Sequence, residues 1–578
     1  GTIYYYALST DQGGAESALS APRAVTTALN APLTPIDLQV SRATSTGVEL
    51  TWSPADSRAA GYRLYRSETD STKAKLIYDG SDPNARDGSA EKGLTYRYSV
   101  SAYNRTGESP RSNPVTVTVP KAADHSIVNG LLWYDTNNKV IQAHGGSIIK
   151  VGKTYYWFGE DKAHNGASFR NVAIYASTDL THWTFRNNAL TPQSSPELAD
   201  AKIERPKIIY NDRTKQYVLW GHKELAGDYN QARVAVATSP TVDGDYTYRG
   251  SFRPDPDGDG VGDESRDYTI FKDDDGTAYL ISSTNANLDL AVYRLTPDYL
   301  NVSERIATLF PGQRREAPAV MKRNGTYYLF TSGQSGWAPN QGMFATAKSM
   351  AGPWSALKPF GDSWTYATQP AFIYPIQGTN ATNYLYVGDR WRPTRLGASE
   401  YIWLPLRFGT DGTPVLDYTD RLSVDPKSAA VTTPQRSRID GDAVASASSN
   451  SAGHEPAAGH DSDDATYWEA ASRTLPAWYE LDLGSARQVG RIDLNWRGIK
   501  GSEAFYHYTI SASADGSQWT TIADRSTNID LGFTSDVPAS AKPYRYLRVE
   551  ISDYRNFNNN NVPGYNPGLN EMRVYGVP

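Results

Sequence analysis

Arg315-Glu316-Ala317-Pro318-Ala319-Val320-Met321-Lys322, followed by Asn324-Gly325-Thr326-Tyr327-Tyr328-Leu329-Phe330, reads as a short apolar strand, a glycine turn and an aromatic strand. One carboxylate stands at the mouth of the first strand. The same grammar recurs four times. His144-Gly145-Gly146-Ser147-Ile148-Ile149-Lys150 leads to Thr154-Tyr155-Tyr156, and Glu204-Arg205-Pro206-Lys207-Ile208-Ile209-Tyr210 leads to Gln216-Tyr217-Val218. Asp267-Tyr268-Thr269-Ile270-Phe271 leads to Ala278-Tyr279-Leu280, and Gln369-Pro370-Ala371-Phe372-Ile373-Tyr374 leads to Tyr384-Leu385-Tyr386-Val387. Copies begin roughly fifty to sixty residues apart, and some add a third apolar strand, such as Val172-Ala173-Ile174-Tyr175. The pattern predicts an all-β fold whose central part, residues 122–430, is a five-bladed β-propeller with one blade per copy.

Symmetry carries this reading to chemistry. If each copy is a blade, the residues opening the innermost strands form one ring: His144, Glu204, Asp267, Glu316 and Gln369. Glu160, which ends the second strand of the first blade, is expected to reach the same funnel. Trp337 and Trp391 are candidates for stacking on sugar faces. Three carboxylates converging from distant parts of the chain, in a funnel rimmed by aromatics, suit cleavage of a glycosidic bond.

Composition narrows the alternatives. A formal net charge of −6 offers no basic footprint, so neither nucleic acid nor an anionic membrane is an expected partner. Thirty-nine tyrosines and 14 tryptophans suit β-rich, sugar-stacking modules. With no cysteine, disulfides and thiolate metal sites are excluded and an oxidising medium does no harm through thiols, which fits a secreted monomer.

Outside the repeats, Gly1-Thr2-Ile3-Tyr4-Tyr5-Tyr6-Ala7 reads like Gly93-Leu94-Thr95-Tyr96-Arg97-Tyr98-Ser99, so residues 1–30 are expected to be the last strands of a preceding module. Residues 31–121 form a complete copy. Its Trp52, its tyrosine pairs and its closing Val115-Thr116-Val117-Thr118-Val119 strand resemble fibronectin type III sandwiches, a spacer on this reading. After a stretch rich in Ser, Ala and Gly, residues 431–578 carry Asp461-Ser462-Asp463-Asp464-Ala465-Thr466-Tyr467-Trp468, Trp478-Tyr479-Glu480-Leu481-Asp482-Leu483-Gly484 and Leu569-Asn570-Glu571-Met572-Arg573-Val574-Tyr575-Gly576. These resemble coagulation factor 5/8 type C, or discoidin, domains, a jelly-roll sandwich shared with carbohydrate-binding module family 32. That resemblance implies a structural Ca²⁺ held by Asp461, Asp464, Thr466 and Glu571, whose oxygen-only ligands suit a hard cation. It also implies glycan binding, for which the loop from Arg555 to Tyr565 is the expected surface.

Ser265-Arg266-Asp267, Arg315-Glu316-Ala317-Pro318, Glu204-Arg205-Pro206-Lys207, Thr368-Gln369 and Gly388-Asp389-Arg390-Trp391 together resemble glycoside hydrolase family 43, in its exo-β-1,3-galactanase branch. The resemblance implies Glu316 as general acid, Asp267 as the residue that tunes the acid and orients substrate, and Glu204, Glu160, His144, Asp389 and Arg390 as substrate contacts. No catalytic cofactor is implied. Most of the family opens the first blade with an Asp-Pro whose carboxylate activates water, whereas this chain has Ala143-His144-Gly145-Gly146 there. The galactanase branch shares the departure, and a glutamine matching Gln369 is proposed to act through its imidic acid form. The rival readings are an α-L-arabinofuranosidase or β-galactofuranosidase on the same propeller, and an inactive glycan-binding protein. Asp255-Pro256-Asp257-Gly258-Asp259-Gly260-Val261-Gly262-Asp263 has the acidic spacing of a Ca²⁺ loop, but Arg266 stands where an EF-hand needs Glu. It reads equally as a second metal site or as an acidic surface turn.

Overall fold

A computed structural model describes residues 3–12, 15–26, 30–44, 47–69, 73–120, 126–379, 381–538 and 542–578. The expected boundary at 121–122 and the opening pair Gly1-Thr2 lie outside the described residues. Every long element is a strand, as expected of an all-β chain. The chain separates into two compact units, residues 1–124 and 125–578.

In the first unit, Ile3–Tyr6 pairs antiparallel with Arg23–Thr26. A three-stranded sheet (Ile36–Thr44, Gly47–Ser53, Asn84–Asp87) and a larger one built on Gly61–Glu68 and Thr95–Asn104 follow. Trp52 is buried between the sheets, edge-on to Tyr62 at 5.8 Å. That is how alternating strands close a sandwich over one core.

The second unit holds five consecutive four-stranded antiparallel sheets. Their first strands are His144–Val151, Ala201–Asn211, Tyr268–Lys272, Arg315–Arg323 and Gln369–Gln377. Each first strand lies against the next, and the fifth returns to the first. The ends of this region are fastened together where Ser126–Val128 pairs with Arg421–Val424. Neighbouring residues on one strand enter different cores. Val218 packs towards the third sheet and Leu219 towards the first; Val320 faces the third sheet and Met321 the fifth. Side chains alternate across a strand, so a sheet covered on both faces needs apolar residues at successive positions. This is the physical source of the apolar runs in the repeat.

Residues 444–576 form a sandwich around the 20-residue strand Ala477–Trp496, which bends at Asp482–Arg487 and passes from one sheet into the other. Its core gathers Trp468, Tyr479, Trp496, Tyr506 and Tyr508.

Candidate active site

Four of the five first strands carry a β-bulge at their mouth, within one residue of the one that the repeat singles out. The register slips between His144 and Ser147, Glu204 and Lys207, Glu316 and Ala319, and Pro370 and Phe372. A bulge re-aims the side chain beside it. At three of them the second residue takes a left-handed backbone: Gly145 (φ 61°), Arg205 (φ 50°) and Ala317 (φ 49°). Each of these strained peptides is latched by a carboxylate from elsewhere on the ring. Gly145 N donates to Asp389 Oδ2 at 2.9 Å, Arg205 N to Glu160 Oε1 at 2.8 Å, and Ala317 N to Asp267 Oδ2 at 3.1 Å. Gly145 has no freedom to be larger, because a Cβ there would stand 2.6 Å from the Glu160 carboxylate.

The bulges turn Glu204, Glu316 and Gln369, together with Asp267, into one cavity of about 400 Å³, walled also by Trp337, Trp391 and Tyr229. That volume lies in the range of small-ligand sites. Asn287 donates to Glu316 Oε1 at 2.9 Å. Burial, and after it the negative charge of Asp267, push the Glu316 carboxyl up to about 8 against the opposing pull of Arg205. Glu204 goes the other way. Burial works to raise it, but the imidazolium of His222, with Lys162 and the Tyr229 hydroxyl, outweighs burial and holds it at about 2. Tyr229 donates to Glu204 Oε1 at 2.8 Å, and His222 Nδ1 lies 3.3 Å from Oε2. Burial lowers His222, yet Glu204 on one side and Glu224 on the other lift it to about 9. Near neutral pH the cavity therefore sets a protonated Glu316 across from an ionised Glu204.

Arg205 ties the site together. Its Nε pairs with Asp267 at 2.9 Å, one terminal nitrogen donates to Pro370 O at 3.1 Å, and the other donates to Gln369 Oε1. The same amide oxygen accepts from the Trp391 indole at 2.9 Å, while Gln369 Nε2 donates to Ser332 Oγ at 3.2 Å. Trp337 meets Trp391 edge-on at 5.1 Å. Glu204, His222 and Asp267 each bring one donor atom within 4.8 Å of the others, as a cation site would. Here the positive charges of His222 and Arg205 already balance the two carboxylates.

Three expected substrate contacts lie behind the cavity wall. His144 is fully buried, stacked on Tyr401 at 4.7 Å with Nδ1 3.1 Å from Asp389. Asp389 is spent on that histidine and on the Gly145 latch, and buried Arg390 donates to Tyr366 O at 3.0 Å. Glu160 touches the cavity but is held by Lys162 at 2.6 Å and by the Arg205 latch, and burial raises its pKa. Sequence reasoning missed His222 and gave Arg205 no role. A signal for His222 existed: Trp220-Gly221-His222 repeats the apolar-Gly-polar ending of Phe158-Gly159-Glu160 and Val387-Gly388-Asp389.

In the C-terminal sandwich, Thr466 Oγ1 lies 2.9 and 2.8 Å from the two carboxylate oxygens of Asp461. Glu571 accepts from Ser462 N at 3.0 Å through Oε2, while its buried Oε1 has no hydrogen-bond partner among the described residues. That orphaned oxygen beside an Asp–Thr pair fits a hard cation. Asp464 is drawn the other way, its Oδ1 accepting from Arg573 at 2.6 Å and from Asn495 at 3.1 Å. The expected glycan loop is partly structural: Asn556 and Tyr565 are buried and bonded to Ser502. In the 255–263 loop, Asp255 accepts from Gly260 N and Asp259 from Val261 N, so these acids cap their own turn. Asp257 is exposed or nearly so, and Asp263 turns to Tyr293 and Arg305.

Carboxyl groups held in opposite ionisation states in one tryptophan-walled cavity of sugar size define a glycoside hydrolase. The comparisons agree. Residues 139–365 match the model of glycosyl hydrolases family 43, residues 31–118 the fibronectin type III domain and residues 444–563 the F5/8 type C domain. An exo-beta-1,3-galactanase from Phanerochaete chrysosporium, solved with beta-1,3-galactotriose, is 32% identical, covering 78% of this chain and 100% of its own, with a TM-score of 0.58. An exo-beta-1,3-galactanase from Clostridium thermocellum is 35% identical over 74% of this chain and 100% of its own, with a TM-score of 0.53. A xylan 1,3-beta-xylosidase from Vibrio sp is 23% identical over 201 residues, 32% of this chain and only 35% of that protein's length. The chain belongs to glycosyl hydrolases family 43.

Proposed function

We propose that this protein is a secreted, monomeric exo-acting hydrolase that releases galactose from β-1,3-galactan with inversion at the anomeric carbon. The observation that carries the reading is Glu316, a cavity carboxyl kept protonated near neutral pH by burial and by Asp267. Its neighbours suit that task, and the two similar galactanases act on this linkage. Five sheets joined first to fifth support a five-bladed propeller. A polymeric substrate and a cysteine-free chain suit secretion.

On this reading Glu316 gives its proton to the glycosidic oxygen as the bond to the leaving sugar breaks. Ionised Glu204 and Tyr229 hold sugar hydroxyls, and Trp337 and Trp391 stack on sugar faces. Gln369 holds the attacking water, whose oxygen bonds the anomeric carbon as its proton passes to the nitrogen of the Gln369 imidic acid form. Its amide oxygen faces two donor-only groups, Arg205 and Trp391. An imidic acid would carry its hydrogen on that oxygen, so the tautomer requires one of these donors to swing away.

We further assign a structural Ca²⁺ to Asp461, Thr466 and Glu571, where it would neutralise a buried carboxylate. The test of the function is Glu316→Gln. Turnover of β-1,3-galactobiose should fall by about 10² to 10⁴ while calorimetric binding of the disaccharide persists. Near-normal turnover would overturn the assignment.

A further inference from the structure

The turn leading into Gln369 is held from outside by the C-terminal sandwich. Thr365, Tyr366 and Ala367 lie at φ 52°, 56° and 58°, three successive left-handed residues without a glycine. Left-handed backbone is unfavourable for residues with a Cβ, so such a run persists only where its surroundings impose it. Part of the restraint is local: Asp362 Oδ1 accepts from Trp364 N and Tyr366 N. The rest comes from the sandwich. The Trp364 indole donates to Trp496 O at 2.9 Å and lies against Gly498 and Gly532, where a Cβ would stand 2.6 and 2.5 Å from its ring. Phe533 is buried in the core between the fourth and fifth sheets of the ring, 5.2 Å from Tyr366.

The partner strand is held in the same way. Asp530 of the sandwich accepts from Arg392 Nε at 3.2 Å and Nη2 at 3.0 Å. Arg392 follows Trp391, whose indole donates to Gln369 Oε1. Asp530 and Leu531 even share a small cavity with Gln369 and Trp391. Asp530 is itself fixed, its N–H donating to Asn528 Oδ1 at 3.1 Å.

We infer that the segment Asp530–Phe533 of the C-terminal sandwich is a positioning element of the active site, setting Gln369 and Trp391 through Arg392 and the Trp364 turn. A domain of a type that serves elsewhere as a sugar-binding accessory is here part of the catalytic unit. The inference rests on the reading of Gln369 proposed above.

The test uses Asp530→Asn, with Trp364→Phe as the milder second variant, in the whole 578-residue chain. Hydrogen exchange is followed by mass spectrometry in segments 362–369 and 389–392, with 315–323 as reference. Exchange should rise about tenfold or more in the first two segments and stay unchanged in the third. On β-1,3-galactobiose, kcat should fall by about 10- to 100-fold, with a smaller rise in KM as Trp391 loosens and the alkaline limb set by Glu316 unmoved. Unchanged exchange in both segments overturns the inference. So does general loosening, in which the reference segment and the pH limb both move with kcat. Were the wild type inactive on the disaccharide, the galactanase reading would fall while the exchange result still decided the clamp.

Discussion

Replacing Asp267 with Asn should move the alkaline limb of the pH–rate profile to lower pH. As the proposed general acid Glu316 acts in its protonated form, so kcat/KM should fall as pH rises through its pKa of about 8. Asp267 is the largest charge that raises this value, and its carboxylate reaches the peptide next to Glu316, bonding Ala317 N at 3.1 Å. Like charges within about 4–6 Å of one another, at an effective dielectric of about 20, repel by roughly 3–4 kcal/mol, on the order of two to three pH units. Water in the open cavity screens part of this, leaving an expected shift of about one to two units. The second consequence has the same sign, because Arg205 loses its 2.9 Å partner and its uncompensated charge favours the ionised acid further. The assay is kcat/KM on β-1,3-galactobiose from pH 5 to 10, with Glu316→Gln as the variant that lacks the limb. The amplitude will also fall, since a neutral amide oxygen holds Ala317 N and the Arg205 guanidinium less strongly than the carboxylate oxygen does, but the midpoint is read independently of amplitude. A midpoint that stays in place or rises would refute the coupling, and with it the account of how the acid is kept protonated.

Glu316→Gln should stabilise the protein at high pH. A carboxyl raised from 4.5 to about 8 on folding costs nothing below the unfolded value and progressively more as pH rises to the folded one, so the variant's melting temperature should match wild type near pH 4 and exceed it above pH 8. The gain should be on the order of a few kcal/mol; equal melting temperatures at pH 9 would mean that the acid is not buried as described. Gln369→Ala should abolish hydrolysis with binding retained, whereas Gln369→Glu should fold and keep measurable turnover, because one oxygen can accept from Arg205 and Trp391 while the other accepts from the Ser332 hydroxyl. Steady-state kinetics on both variants checks this, and an almost fully active Gln369→Ala sinks the role. Added Ca²⁺ should raise the melting temperature as the site fills, stabilising the fold by about 2.7 kcal/mol at a hundred times Kd, and Glu571→Gln should remove the effect. A calcium response that survives in Glu571→Gln would place the ion elsewhere.

The fold was legible because burial on both faces writes itself into sequence as apolar runs, and because each first strand begins with a polar residue. Glu316 and Gln369 could be found for the same reason. His144 occupies the equivalent position yet is buried, and its different fate depends on Tyr401 and Asp389, contacts made across some 250 residues that no local pattern records. The latches show the same limit. Glu160, Asp267 and Asp389 look alike as lone acids at strand ends, and only the closed ring shows that each holds a left-handed peptide of another sheet. His222 was within reach of a closer comparison of second strands. Asp464 was not, because the acidic turn says nothing of Arg573 reaching back from the last strand. The docking of Trp364 was equally hidden, since its receptor is an absence of side chain at Gly498 and Gly532.

On the proposed reading this cavity cleaves β-1,3-linked galactose by single displacement from the chain end. A proton NMR time course of the wild-type enzyme on β-1,3-galactotriose tests it directly. The account predicts that galactose and the disaccharide appear together from the first points, with new galactose as the α anomer before mutarotation. Initial release of the β anomer, or a trisaccharide that binds and is never cut, would contradict it.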